Sequence, residues 1–159
     1  MSAELAQLLQ NSIERDLPCL LSVSESVAGE KIGAAWSRKE ELGHLIDSAS
    51  NNHLRFVRAA LEAEFHGPPY DQNGSVTIHG YQELSWAGLV EFWKQYNNFL
   101  RQFILRIPEA KLQTPCQVGS GARVTLHFLI QDYIVHMQHH LDHILRRAVV
   151  TQYPQNTPK

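Results

Sequence analysis

Residues 132–145 read "DYIVHMQHHLDHIL", with four histidines in eight positions, at 136, 139, 140 and 143. A helix turns about 100° per residue. Plotted on that wheel, Leu126, Ile130, Tyr133, Ile134, Met137, Leu141, Ile144, Leu145 and Ala148 form one broad apolar stripe. His136 and His140 lie at its border, roughly 40° apart. His143 falls beside them, and His139 is displaced furthest toward the polar side with Gln131, Asp142 and Arg146. A helix that buries such a stripe needs other helices to pack against it.

Working outward, breakers separate three more helical segments. The first covers about 3–27, with Pro18 a candidate break. The second opens at Ser37, whose spacing to Glu40 is the S-x-x-E capping box, and stops before Gly67-Pro68-Pro69. The third starts after Ser85, a plausible N-cap, and ends by Pro108; the fourth runs over about 125–150. Four striped helices predict an all-α fold, an antiparallel four-helix bundle, in a single domain over 1–150 with a flexible tail at 151–159. The stretch "HGPPYDQNGSVTIHGYQEL" makes a long loop between helices two and three, a length that is usually functional. The shorter "TPCQVGSGARV" has room for a small hairpin.

The chain has 159 residues, 43% hydrophobic and 19% charged, with a net charge of −2 and no basic block. That composition suits one globular core and argues against nucleic acid or acidic membrane surfaces as partners. No apolar run has membrane-spanning length, and the N-terminus lacks the basic start of a signal peptide. Cys19 and Cys116 form no CxxC pair and read as free thiols. Together these features predict a soluble cytoplasmic protein.

Residues four apart on a helix carry Cβ atoms about 5–6 Å apart, so His136 and His140 can converge on one ion at about 2.0–2.1 Å. The HExxH protease pattern is excluded, because Met137 stands where its glutamate would be. Two histidines need a further ligand. On the second helix His44 heads a column with Ser48, Asn51 and Arg55, opposite Leu42, Leu45, Ala49 and Phe56. By periodicity that column faces either solvent or a polar cleft. His66 and His79 lie in or beside the long loop, while His53 and His127 are helical without a matching partner.

"WSRKEELGHLIDSASNNHLRFVRAAL" followed by "DYIVHMQHHLDHIL" resembles the DinB-like superfamily, in its YfiT-type branch, over roughly residues 30–147. The "PPYDQN" segment fits the same branch. The resemblance implies a bundle whose metal ligands are His44, His136 and His140, with the helix-two column facing the cleft. It makes Asp47, Asp132 and His143 candidate catalytic or supporting groups. Arg55 and Arg147 are candidate holders of a substrate anion, a surface arginine being the better bet for each. Three neutral imidazoles leave at least one coordination position open, as in catalytic sites.

The implied activity is that of a metal-dependent transferase for low-molecular-weight thiols such as bacillithiol or mycothiol, acting on electrophilic small molecules. Hydrolysis by metal-bound hydroxide and a non-catalytic metal-binding bundle are the alternatives. Zinc or nickel is the expected ion, and a homodimer the expected assembly.

Overall fold

Three of the four long helices begin at a side-chain cap, the first being the exception. In a computed structural model describing residues 1–153, α1 (Ser2–Leu21) is followed by a short α2 (Glu25–Gly29). These two replace the single helix expected over 3–27. Pro18 does not break α1, which closes at Ser22, whose N–H bonds back to the Pro18 and Cys19 carbonyls. The real boundary is Ser24, whose hydroxyl accepts from the Val27 N–H and starts α2.

The expected capping box forms on α3 (Arg38–Leu61). Glu40 N–H donates to Ser37 Oγ at 3.2 Å, and Ser37 N–H donates to Glu40 Oε2 at 2.7 Å. The connection that follows is as long as expected, but it is structured: β1 (Phe65–Gly67), α4 (Gln72–His79) and a 3-10 turn at Tyr81–Glu83. Asp71 caps α4, and Gly80 closes it with φ of 61°, a left-handed conformation that suits glycine. Ser85 accepts from the Gly88 N–H to open α5 (Trp86–Ile104), as expected. After a 3-10 turn at Glu109–Gln113, β2 (Pro115–Val118) and β3 (Val124–Thr125) pair antiparallel as the hairpin anticipated in "TPCQVGSGARV". On its other edge β2 takes β1 in parallel, with Phe65 opposite Cys116.

Thr125 caps α6 (Leu126–Ile144). The helix ends short of the expected 150 because Arg146 adopts φ of 50° and the Arg147 N–H bonds back to the Asp142 carbonyl. That left-handed residue reverses the chain, so Thr151 donates its N–H and hydroxyl to Asp142 Oδ2 at 2.8 and 2.6 Å. The expected flexible tail therefore begins with bound residues, and 154–159 lie outside the described residues.

Packing joins α1 to α5 and α6, and α3 to the same two helices. The order around the bundle is thus α1–α5–α3–α6, with α1 diagonal to α3 and α5 diagonal to α6. Diagonal placement needs long connectors, which α2 supplies on one side and the hairpin on the other. Leu9, Phe56, Trp93, Leu100 and Ile130 are fully buried at the centre. The buried Tyr133 hydroxyl donates to Asn97 Oδ1 at 2.5 Å, and Asn97 donates in turn to the Trp93 carbonyl, so this polar pair is satisfied inside the core. Both cysteines are free; Cys19 is exposed, while burial pushes the Cys116 thiol up to about 11. Among the described residues no helix is long and apolar enough to cross a membrane.

Candidate metal centre

Side-by-side packing of α3 and α6 brings His44 against the His136–His140 pair. The three rings offer one nitrogen each within 4.8 Å of one another. His44 Nε2 and His136 Nε2 are 3.2 Å apart. Two ligand nitrogens on a tetrahedral zinc ion, each at about 2.0–2.1 Å, stand ~3.4 Å apart, so this spacing fits a shared divalent ion. His44 is fully buried and His136 is 4% exposed, which keeps bulk water from two of the three donors. Trp36 covers the outer side of His44, with ring centroids 5.1 Å apart.

Orientation of His140 comes from Glu41, one turn before His44 on α3. Glu41 Oε1 lies 2.8 Å from His140 Nδ1. A carboxylate can only accept, so Nδ1 carries the proton and Nε2 the lone pair. That is the carboxylate–histidine arrangement found behind metal ligands. Ser48 Oγ stands 3.5 Å from His136 Nδ1 on the same side as a longer polar contact. Glu41 is a residue the sequence reading missed. Its only signal was the i,i+3 spacing to His44. Replacing it, Glu41→Gln, is expected to weaken zinc binding by about 10–100-fold with the fold intact, measured by titration against a competing chelator. Unchanged affinity would remove Glu41 from the site.

The remaining candidates are distributed unequally. Asp132 lines a cleft with His136 and accepts the Tyr153 hydroxyl at 2.9 Å. Tyr153, in the expected tail, packs its ring 5.1 Å from His136 and is 7% exposed. His143 stays at the rim, its Nδ1 3.6 Å from Glu41. Asp47 turns toward α4 instead. It accepts the Tyr81 hydroxyl at 2.6 Å and faces His79 Nδ1 at 3.0 Å. Burial raises its carboxyl above the usual range against the opposing effects of Tyr81 and His79. Gly43 makes this contact possible, because a Cβ there would collide with the Tyr81 ring.

Two readings of polarity are corrected. His139, on the polar side of the helix by periodicity, is nevertheless 9% exposed, since the returning chain sets the Thr151 carbonyl 2.7 Å from its Nδ1. Arg55, for which a surface position was favoured, is 8% exposed and lines the cleft with Ser48, so the helix-two column does face a cavity. Arg147 is engaged elsewhere, bonded to Asp16 at 2.5 Å and Asp142 at 2.7 Å.

The chain is similar in structure to YfiT from Bacillus subtilis, described as a probable metal-dependent hydrolase with an unusual four-helix bundle topology. The TM-score is 0.81 at 16% identity, over 91% of this chain and 84% of that one. It is also similar to a mycothiol-dependent maleylpyruvate isomerase, with a TM-score of 0.70 at 13% identity, over 96% of this chain and 62% of that one. At such identities the likeness shows a common fold. Among curated proteins none matches in sequence. The family model of the DinB superfamily matches residues 8–144, a span that covers most of α1, all of α3, α5 and α6, and the three converging histidines. The chain belongs to the DinB superfamily.

Proposed function

We propose that this protein is a metal-dependent enzyme that joins a low-molecular-weight thiol to an electrophilic small molecule, with His44, His136 and His140 holding one zinc or nickel ion. The observation that carries the reading is the convergence of three imidazole nitrogens within 4.8 Å, two of them fully or almost fully buried. A divalent ion there would supply the positive charge that keeps a thiol deprotonated near neutral pH.

The chain's own groups do the rest. Glu41 holds His140 in one tautomer. Asp132, beside His136 in the cleft, takes the thiol proton and releases it to solvent. The half-exposed His143, about three turns further along α6, supports the site from the rim beside Glu41. Asp47 acts at a distance, fixing α3 through Tyr81 as a positioning residue. The thiol sulfur forms the new bond to the electrophilic carbon as that carbon's leaving group departs. The YfiT description supports hydrolysis as the second reading, with Asp132 taking a proton from water instead. Exposed Phe92 and Phe99 on α5 support a homodimer, and the chemistry suits a cytoplasmic setting.

The test starts with metal analysis of protein purified without an affinity tag, where about one ion per chain is expected for this open site. Conjugation of bacillithiol or mycothiol to monochlorobimane should then disappear on chelation and return with zinc or nickel. Metal-dependent cleavage of a nitrophenyl ester without thiol would favour hydrolysis. A chain that binds neither ion when supplied with them overturns both readings.

A further inference from the structure

A positive charge is buried beside the histidines without an ion pair to neutralise it. Arg55, on α3, is 8% exposed and lines the cleft with Ser48, Asn52, Tyr70, Asp132 and His136. Its Nη2 donates to the Pro68 carbonyl at 3.2 Å and its Nη1 to Asn52 Oδ1 at 3.4 Å. Both partners are neutral. The contrast with Arg147 is direct, since that side chain bonds two carboxylates. Among the described residues Arg55 forms no ion pair; the acid that shares its cleft, Asp132, accepts from Tyr153. Burial pulls the Arg55 guanidinium below its usual value, and the one group opposing that is Tyr70. A guanidinium nonetheless stays protonated in proteins, and burying it without a counter-charge is costly.

The space around it has a shape. Next to Arg55 and His136 the cleft encloses about 30 Å³, room for the end of a ligand. Val118, Leu129 and Asp132 also border an adjoining, mainly apolar hollow of about 130 Å³ that Val124 and Phe128 line. A molecule filling both parts puts a polar terminus on Arg55 and an apolar body against the hairpin and the start of α6. The guanidinium fork matches a planar carboxylate through paired hydrogen bonds.

We propose that Arg55 binds the carboxylate of the ligand that enters this cleft, which makes the site selective for small carboxylic acids with an apolar body. The assignment deepens the proposed function and rests on it for the ion beside the ligand, while carboxylate binding itself needs no ion. The thiol or the electrophile can supply the carboxylate.

The test is calorimetric titration of benzoate and its neutral counterpart benzamide into zinc-loaded and metal-stripped protein, with Arg55→Gln and Arg55→Lys alongside. Benzoate should bind the wild type at least about tenfold tighter than benzamide in both metal states. Arg55→Gln should erase that preference with zinc stoichiometry unchanged, and Arg55→Lys should keep part of it. Equal or undetectable affinity for the two compounds in the wild type overturns the proposal, without need of a folded variant. So does an Arg55→Gln protein that keeps the preference. Discrimination without zinc binding would sink the metal reading alone, and zinc binding without discrimination would sink this one alone. Saturation with 3-mercaptopropionate then identifies the source. Displacement of benzoate assigns the carboxylate to the thiol, simultaneous binding assigns it to the electrophile, and either result supports the role of Arg55.

Discussion

Replacing His136 by alanine is expected to remove high-affinity ion binding, lowering zinc affinity by more than about 100-fold, beyond the loss typical of an outer supporting residue. His136 is the ring that links the two helices' donors. Its Nε2 stands 3.2 Å from His44 on α3, and its ring centroid lies 4.5 Å from His140 one turn on along α6. Without it the remaining two imidazoles come from different helices and make a poor site for a tetrahedral ion. Chelator-competition titration with zinc reads the affinity, and circular dichroism checks that the helices persist. The fold should persist, because the core centred on Phe56, Trp93 and Leu100 is continuous without the histidines. Retained stoichiometric binding in the variant would mean that the ion sits elsewhere.

The second large effect lies away from the cleft. Arg147→Met is expected to destabilise the protein by about 3 kcal/mol, the low end for breaking a buried ion pair, because Arg15 still reaches both acids. Arg147 clamps Asp16 of α1, fully buried, to Asp142 of α6, 3% exposed. Burial works against the Asp142 carboxylate, but hydrogen bonds from Thr151 and Arg147 hold it below the usual range. A carboxyl depressed in the folded state contributes stability above its unfolded value, near 3.9, and loses that contribution as the pH falls through its folded value. The gap between wild type and variant should therefore be full at pH 7 and close progressively below about pH 4. Urea denaturation of both proteins across that range measures it. A gap that stays constant to pH 2 would show the loss to be one of packing.

What the sequence made legible follows from where the information is local. Ser37 with Glu40 and Ser85 cap helices through bonds spanning three residues, so local sequence located these two helix starts. The His136–His140 pair is local in the same sense, one turn of one helix. His44 was reached through family resemblance, since no periodicity links positions 92 residues apart. The eight-residue α4 escaped notice because two turns are too short for a periodic pattern, and Pro68, Pro69 and Gly74 all signal a loop. Burial of Arg55, His139 and Asp142 was illegible for another reason. A helical wheel ranks faces by polarity, and these faces are covered by chain from elsewhere: the Pro68 carbonyl in one case, Thr151 in the others.

The reversal at Arg146 separates two properties of the centre that most sites entangle. The ion's donors sit on the rigid walls of the bundle, whereas Tyr153, lying over His136 and tied to Asp132, belongs to chain beyond the last helix. The roof can thus be re-engineered by exchanging a few terminal residues, resizing the entrance while every ligand-bearing helix keeps its original sequence.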